Sequence, residues 1–205
     1  MLGFYNYTVW LTYVGLLSAV SGIFIAMGGN VKLSALCLLF SGLCDMFDGK
    51  IARTKKDRTD EEKHFGIQID SLCDAVCFGV LPAAICYAAG ADRLWQLAVA
   101  ALFVLCGIIR LGYFNVTEET RQKSTGENRK MYSGLPITTS AIMVPLLLCF
   151  SSQLGSALPY ALTALLAVMA VCYITPLNVR KPGTWGGVIL LAAGFAAFML
   201  ILLHR

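Results

Sequence analysis

Charge is scarce in this sequence. Of its 205 residues only 14% are Asp, Glu, Lys or Arg, while 58% are hydrophobic, with a mean hydropathy of +0.71. A soluble domain carries charge on about a quarter of its residues, so a water-facing surface for a chain of this size is excluded and the bilayer is its natural solvent. The chain holds no CxxC pair, which removes zinc-ribbon and dithiol redox motifs. Its eight cysteines, Cys37, Cys44, Cys73, Cys77, Cys86, Cys106, Cys149 and Cys172, all fall in apolar stretches and read as small packing residues. There is no internal repeat and no low-complexity tract. A basic leader followed by a small-residue cleavage site is also missing, so the first apolar segment is expected to be a retained span. Nothing in the composition asks for a nucleic-acid partner. The length allows one integral membrane domain, 1–205, with no room for a second.

What is present is a series of apolar runs. Tyr7–Met27, Leu33–Ile51, Phe65–Ala89, Trp95–Tyr113, Pro136–Leu154, Ala157–Ile174 and Trp185–Leu203 are each about long enough to cross a bilayer as a helix. Open strands cannot satisfy their backbone in lipid. The expected fold is therefore all-α, a polytopic transmembrane bundle of six to seven spans, with the first and last spans the least defined in role. Lys55, Lys56, Arg58 and Lys63 follow the second run, Arg121, Lys123, Arg129 and Lys130 the fourth, and Arg180 and Lys181 the sixth. The other side offers Lys32, Arg93 and Arg205. The excess of Lys and Arg on one side predicts that those connections, and the N-terminus with them, face the cytoplasm. Seven spans then put the C-terminus outside.

Acidic side chains are costly inside a membrane and mark function. Asp45 and Asp48 lie three residues apart, on one face of the second helix, and Asp70 and Asp74 lie four apart, on one face of the third. A short basic connection makes these helices antiparallel neighbours, so both pairs sit at similar depth at the cytoplasmic ends of spans 2 and 3. Four carboxylates in low dielectric stay ionised together only if cations neutralise them. Hard oxygen ligands point to Mg²⁺, Mn²⁺ or Ca²⁺, and two ions would balance the charge. Such ions also take phosphate oxygens as their remaining ligands. Gly49 and Ala52 leave a bare stripe beside Asp48, where a flat base or a phosphate can approach the backbone. Arg53, at the water boundary, can form a fork to phosphate, and Gly66 opens the third helix as another close-approach site. Glycine and alanine of this kind usually serve helix packing alone, a reading that four carboxylates at helical spacing do not fit. His64, beside this stretch, reads as a surface residue.

The stretch Asp45-x2-Asp48-Gly49-x2-Ala52-Arg53-x12-Gly66-x3-Asp70-x3-Asp74 resembles the signature of the CDP-alcohol phosphotransferase family, here spanning 45–74. The usual spacing between its arginine and second glycine is eight residues. The extra ones, around Arg58–Lys63, are expected to lengthen a loop without moving the ligands. Three further stretches resemble the phosphatidylserine synthase branch of the family. They are the run Asp70-Ser71-Leu72-Cys73-Asp74 through Phe78-Gly79-Val80-Leu81-Pro82-Ala83, the segment Arg110-Leu111-Gly112-Tyr113-Phe114-Asn115, and Tyr132-Ser133-Gly134-Leu135-Pro136. Cys77, Gly112-Tyr113 and Thr138 depart from the usual residues, and Tyr113 replaces an arginine that could meet an anion.

The resemblance implies a reaction in which CDP-diacylglycerol and L-serine give phosphatidylserine and CMP by direct in-line attack. Asp45, Asp48, Asp70 and Asp74 would hold divalent metal, and Asp74 would also act as the general base. Asp48, Gly49, Ala52, Arg53 and Gly66 would border the nucleotide. The resemblance also implies a homodimer among membrane lipids, and the small size suggests a prokaryotic cell membrane. The acceptor side stays open at this point. Arg110, deep in the fourth span, could meet the serine carboxylate, pair with a motif aspartate or bind lipid phosphate, and Asn115 could add hydrogen bonds. A sibling enzyme using glycerol 3-phosphate or an inositol is the nearest rival reading. A cation or proton transporter is a remote one, because the carboxylates cluster near one face rather than at the midplane.

Overall fold

The computed structural model describes residues 3–52, 54–55, 57–124, 131–176 and 178–180. Helix α1 (Tyr7–Met27) and helix α2 (Val31–Ala52) form an antiparallel hairpin closed by Gly28, Gly29 and Asn30. Gly29 takes φ +83° there, a left-handed conformation that favours glycine. Helix α3 (Asp60–Asp74), a π-helical turn (Ala75–Val80) and helix α4 (Leu81–Ala88) run on as one element. Helix α5 (Leu94–Ser124) follows, then α6 (Ser140–Leu148), a short α7 (Ser151–Leu154) and α8 (Leu158–Ile174). Two three-residue strands, β1 (Met131–Ser133) and β2 (Asn178–Arg180), pair antiparallel with Tyr132 opposite Val179. They are a small addition to an otherwise helical membrane fold.

Among the described residues four helical stretches, Tyr7–Met27, Asp60–Ala88, Leu94–Thr117 and Ser151–Ile174, are long and apolar enough to cross a bilayer, and Ile137–Leu148 is a shorter apolar helix. Helix α2 has the length, but Lys32, Asp45, Asp48 and Lys50 break its apolar character. The run read from sequence as Pro136–Leu154 is interrupted at Cys149–Phe150, where two turn residues separate α6 from α7. The last apolar run, Trp185–Leu203, lies outside the described residues. Phe78, Leu81, Ile85, Leu38, Phe103, Leu162 and Leu166 fill the centre of the bundle. Trp10, Phe24, Leu94, Leu102, Ile109 and Val168 point outward and exposed. So much apolar surface would be a liability in water and is the ordinary lipid face of a membrane bundle.

The π turn has an identifiable cause. Pro82 has no N–H to offer the Phe78 carbonyl four residues earlier, and its ring would crowd that oxygen in a regular α-helix. The wider turn makes room, and Ser140 Oγ donates to the Phe78 carbonyl at 2.9 Å. That bond ties the element carrying Asp70 and Asp74 to the start of α6. All eight cysteines are free thiols, four of them buried in packing positions.

Candidate active site

The acidic end of α2 is held by a polar ladder along α1. Ser34, Ser41 and Asp48 recur at seven-residue intervals, two turns apart on one face. Ser34 Oγ donates to the Gly22 carbonyl at 2.8 Å and Ser41 Oγ to the Gly15 carbonyl at 2.9 Å. At the end of the ladder Thr12 Oγ1 donates to Asp48 Oδ2 at 2.9 Å. The seam is tight because its residues are small. A Cβ on Gly22 would come within 2.8 Å of Cys37 Cβ, and one on Gly15 within 3.1 Å of Cys44 Cβ. Close backbone approach of this kind is how membrane helices associate without a hydrophobic driving force between them. The first span, undefined in role from sequence, therefore positions a signature carboxylate.

The helical spacings bring the other carboxylates together as well. Asp45 from α2 and Asp70 and Asp74 from α3 each place one carboxylate oxygen within 4.8 Å of the others, and all three side chains are half-buried. Asp48 is buried and lies within hydrogen-bonding reach of Asp70. Like charges this close repel strongly away from bulk water. A cation among them removes the repulsion, and an all-oxygen set that leaves positions open suits a divalent ion shared with a phosphate. The residues present therefore fit a hard divalent metal.

Beside the carboxylates lies a cleft of about 160 Å³. Asp48, Gly49, Ala52 and Gly66 line it together with Asp70, so four of the expected nucleotide contacts and one further expected metal ligand border one space. Arg53 lies outside the described residues. The cleft also has walls that the sequence reading missed: Thr8, Val9 and Thr12 from α1, and Arg58, Lys63 and Ile67 from the far side. Thr8 and Thr12, one turn apart in an apolar helix, carried a faint signal. Arg58 carried none, since it sits among several cations.

The connection before α3 also differs from the expected loop extension. Asp60–Lys63 form the first turn of α3, with Thr59 as N-cap. Thr59 Oγ1 accepts from the Glu62 N–H at 3.2 Å, and the Thr59 N–H donates to Glu62 Oε2 at 3.1 Å. This reciprocal cap is favourable at a helix start. Lys55 Nζ at 2.9 Å and Asn6 Nδ2 at 2.8 Å also bind Glu62, anchoring the connection to the start of α1. His64 is exposed, as its position suggested.

The acceptor-side residues knit together the three stretches singled out by resemblance. Arg110 is buried in α5. Its Nε donates to the Leu135 carbonyl at 2.6 Å and its Nη2 to the Gly134 carbonyl at 3.2 Å. Gly134 adopts φ +83°, and a Cβ there would lie 3.2 Å from the Tyr173 carbonyl and 3.3 Å from Arg110 Nε, so the turn requires glycine. Asn115 Nδ2 donates to Ser71 Oγ at 2.9 Å, joining α5 to the residue after Asp70.

Comparison with known proteins places the chain among relatives. The family model for CDP-alcohol phosphatidyltransferase matches residues 5–204. The chain is 40% identical over 106 residues to a CDP-diacylglycerol–serine O-phosphatidyltransferase of Saccharomyces cerevisiae, covering 50% of this chain and 37% of that one. It is 35% identical over 166 residues to an archaetidylserine synthase of Methanothermobacter thermautotrophicus, covering 78% and 67%. It is 32% identical over 142 residues to a CDP-diacylglycerol–serine O-phosphatidyltransferase of Helicobacter pylori, covering 68% and 54%. The matched regions thus span about a third to two thirds of the relatives' own lengths. With nearly the whole chain inside the family match and three of the signature carboxylates gathered within 4.8 Å, the chain belongs to the CDP-alcohol phosphatidyltransferase family.

Proposed function

We propose that the protein transfers the phosphatidyl group of CDP-diacylglycerol to the hydroxyl of L-serine, giving phosphatidylserine and CMP. The observation that carries this reading is the convergence of Asp45, Asp70 and Asp74 within 4.8 Å, beside a cleft bordered by Gly49, Ala52 and Gly66. The serine-using relatives support serine as acceptor.

Asp45, Asp48, Asp70 and Asp74 would hold one or two divalent ions, Mg²⁺ or Mn²⁺ with Ca²⁺ as an alternative, whose charge would neutralise the diphosphate and the departing CMP. The bare backbone at Gly49, Ala52 and Gly66 admits the nucleotide, and Arg53 adds a cation at its edge. Asp74 takes the proton from the serine hydroxyl. The serine oxygen forms a bond to the phosphorus that carries diacylglycerol, and the bond from that phosphorus to the bridging oxygen breaks. CMP leaves with that oxygen and its electron pair. Arg110 meets the serine carboxylate while bracing the Gly134–Leu135 turn, and Asn115 steadies the helix that carries Asp70.

The basic connections face the cytoplasm in this reading, because Lys and Arg concentrate there. Labelling of a cysteine at position 123 from outside intact cells would refute that orientation. The homodimer implied by family resemblance belongs to the same proposal, and the particle mass in detergent reads it. The direct test of the reaction is CMP release from CDP-diacylglycerol by purified protein, offered serine, glycerol 3-phosphate and inositol in turn. Release with serine alone supports the proposal. Release with either of the others, and none with serine, overturns it.

A further inference from the structure

We infer that Arg58 binds the nucleotide end of the donor, its Nε–H directed to an anionic oxygen of the diphosphate. This rests on the proposed activity and adds to it a cation from the connection between α2 and α3. Twelve residues separate Arg53 from Gly66, and Arg58 stands among them. From sequence these residues read as a solvated basic loop. In the structure Arg58 turns back into the cleft and lines it with Asp48, Gly49, Ala52, Gly66 and Asp70.

Three features distinguish Arg58 from an ordinary loop cation. Its guanidinium is held in place, with Nη2 donating to the Glu62 carbonyl at 3.0 Å in the capped first turn of α3. Its Nε is buried and has no hydrogen-bond partner among the described residues. A buried donor left unsatisfied is costly, and a native structure that keeps one needs an explanation, of which a missing ligand atom is one. Finally, space is kept for it: a Cβ on Gly66 would lie 2.6 Å from Arg58 Nη2. Gly66 therefore admits the guanidinium to the cleft as well as leaving its own backbone bare.

The chemistry of the neighbours selects the ligand. Arg58 makes no ion pair among the described residues, although Asp48 and Asp70 line the same cleft. In the proposed activity the diphosphate would lie between those carboxylates, which would hold the metal, and the bare glycines. An oxyanion there brings a strong acceptor to a fixed guanidinium donor, the pairing at which arginine is best. A serine acceptor would instead meet Arg110, on α5.

The test is equilibrium binding of CDP-diacylglycerol and of CMP to the purified full chain in detergent, with steady-state KM values for both substrates. Arg58→Gln should weaken CDP-diacylglycerol binding roughly tenfold to a hundredfold, the range for a lost charged hydrogen bond, and leave the KM for serine unchanged. Arg58→Lys keeps the charge but loses Nε, and should recover only part of the loss. Gly66→Ala should crowd the guanidinium out of the cleft and weaken binding in the wild-type background more than in Arg58→Ala. This second route keeps the inference falsifiable should Arg58→Gln fold poorly. Wild-type affinity in Arg58→Gln, a rise in the KM for serine instead, or an equal Gly66→Ala effect in both backgrounds overturns the inference alone. If the wild type binds neither CDP-diacylglycerol nor CMP, the proposed activity falls and the inference with it.

Discussion

The two sides of the site are built by different means. On the acidic side, consecutive helices do the work. Asp45 and Asp48 stand on α2, Asp70 and Asp74 on α3, and α1 braces α2 through Thr12, which donates to Asp48, and through the Gly15 and Gly22 carbonyls, which accept from Ser41 and Ser34. On the Arg110 side the chain returns from a distance. A guanidinium on α5 grips the carbonyls of Gly134 and Leu135, and Asn115 reaches Ser71, 44 residues away in sequence. The first arrangement uses charged groups that need a ligand to be at ease. The second spends its polar groups on the protein's own backbone carbonyls and on a neighbouring side chain. The difference suggests a division of labour, with chemistry at the carboxylates and positioning around Arg110.

Substitutions at each side can break or sharpen that division. The largest effect is expected at Asp74. Asp74→Asn removes the proposed base while keeping the shape, and should lower turnover by about three powers of ten or more, with CDP-diacylglycerol still bound. Near-normal kcat in that variant would take Asp74 out of the mechanism. Next comes the seam that holds the acidic side. Gly22→Ala puts a Cβ against Cys37 Cβ, which cannot swing away, and against the methyl groups of the buried Leu81. It should cost about 1–3 kcal/mol as an overpacked contact, read as a lower unfolding midpoint in detergent. An unchanged midpoint would show that α1 is not tightly docked. The smallest effect is expected at Arg110. Arg110→Lys keeps the charge but cannot reproduce the fork, and should raise the KM for serine about tenfold. A rise in the KM for CDP-diacylglycerol instead would assign Arg110 to lipid phosphate. A fall in stability with both KM values unchanged would leave it a purely structural clamp.

The acidic side was readable because its spacing is local. Residues three or four apart share a helix face whatever surrounds them, so the pairing of Asp45 with Asp48 and of Asp70 with Asp74 needed no tertiary knowledge. The role of α1 was not readable in the same way. A threonine in an apolar helix reads as packing until the register with α2 sets Thr12 against Asp48. The start of α3 was legible but passed over: Thr59-x2-Glu62 is a capping box, hidden in what looked like a polar loop. The π turn left no trace in an unbroken apolar run, although Pro82 was a pointer. The β1–β2 pair joins segments 47 residues apart, and no periodicity reports such a contact. Arg110 was picked out by its cost in a membrane, yet its grip on Gly134 and Leu135 depends on where the chain returns.

The central claim, that the aspartate cluster works through a divalent cation on a CDP-linked lipid, is tested most directly by one titration. Purified protein is stripped of divalent ions with a chelator, and serine-dependent CMP release from CDP-diacylglycerol is followed as Mg²⁺ or Mn²⁺ is returned. The account predicts no release from the stripped protein and recovery as the ion is added. Full release after exhaustive chelation would contradict it.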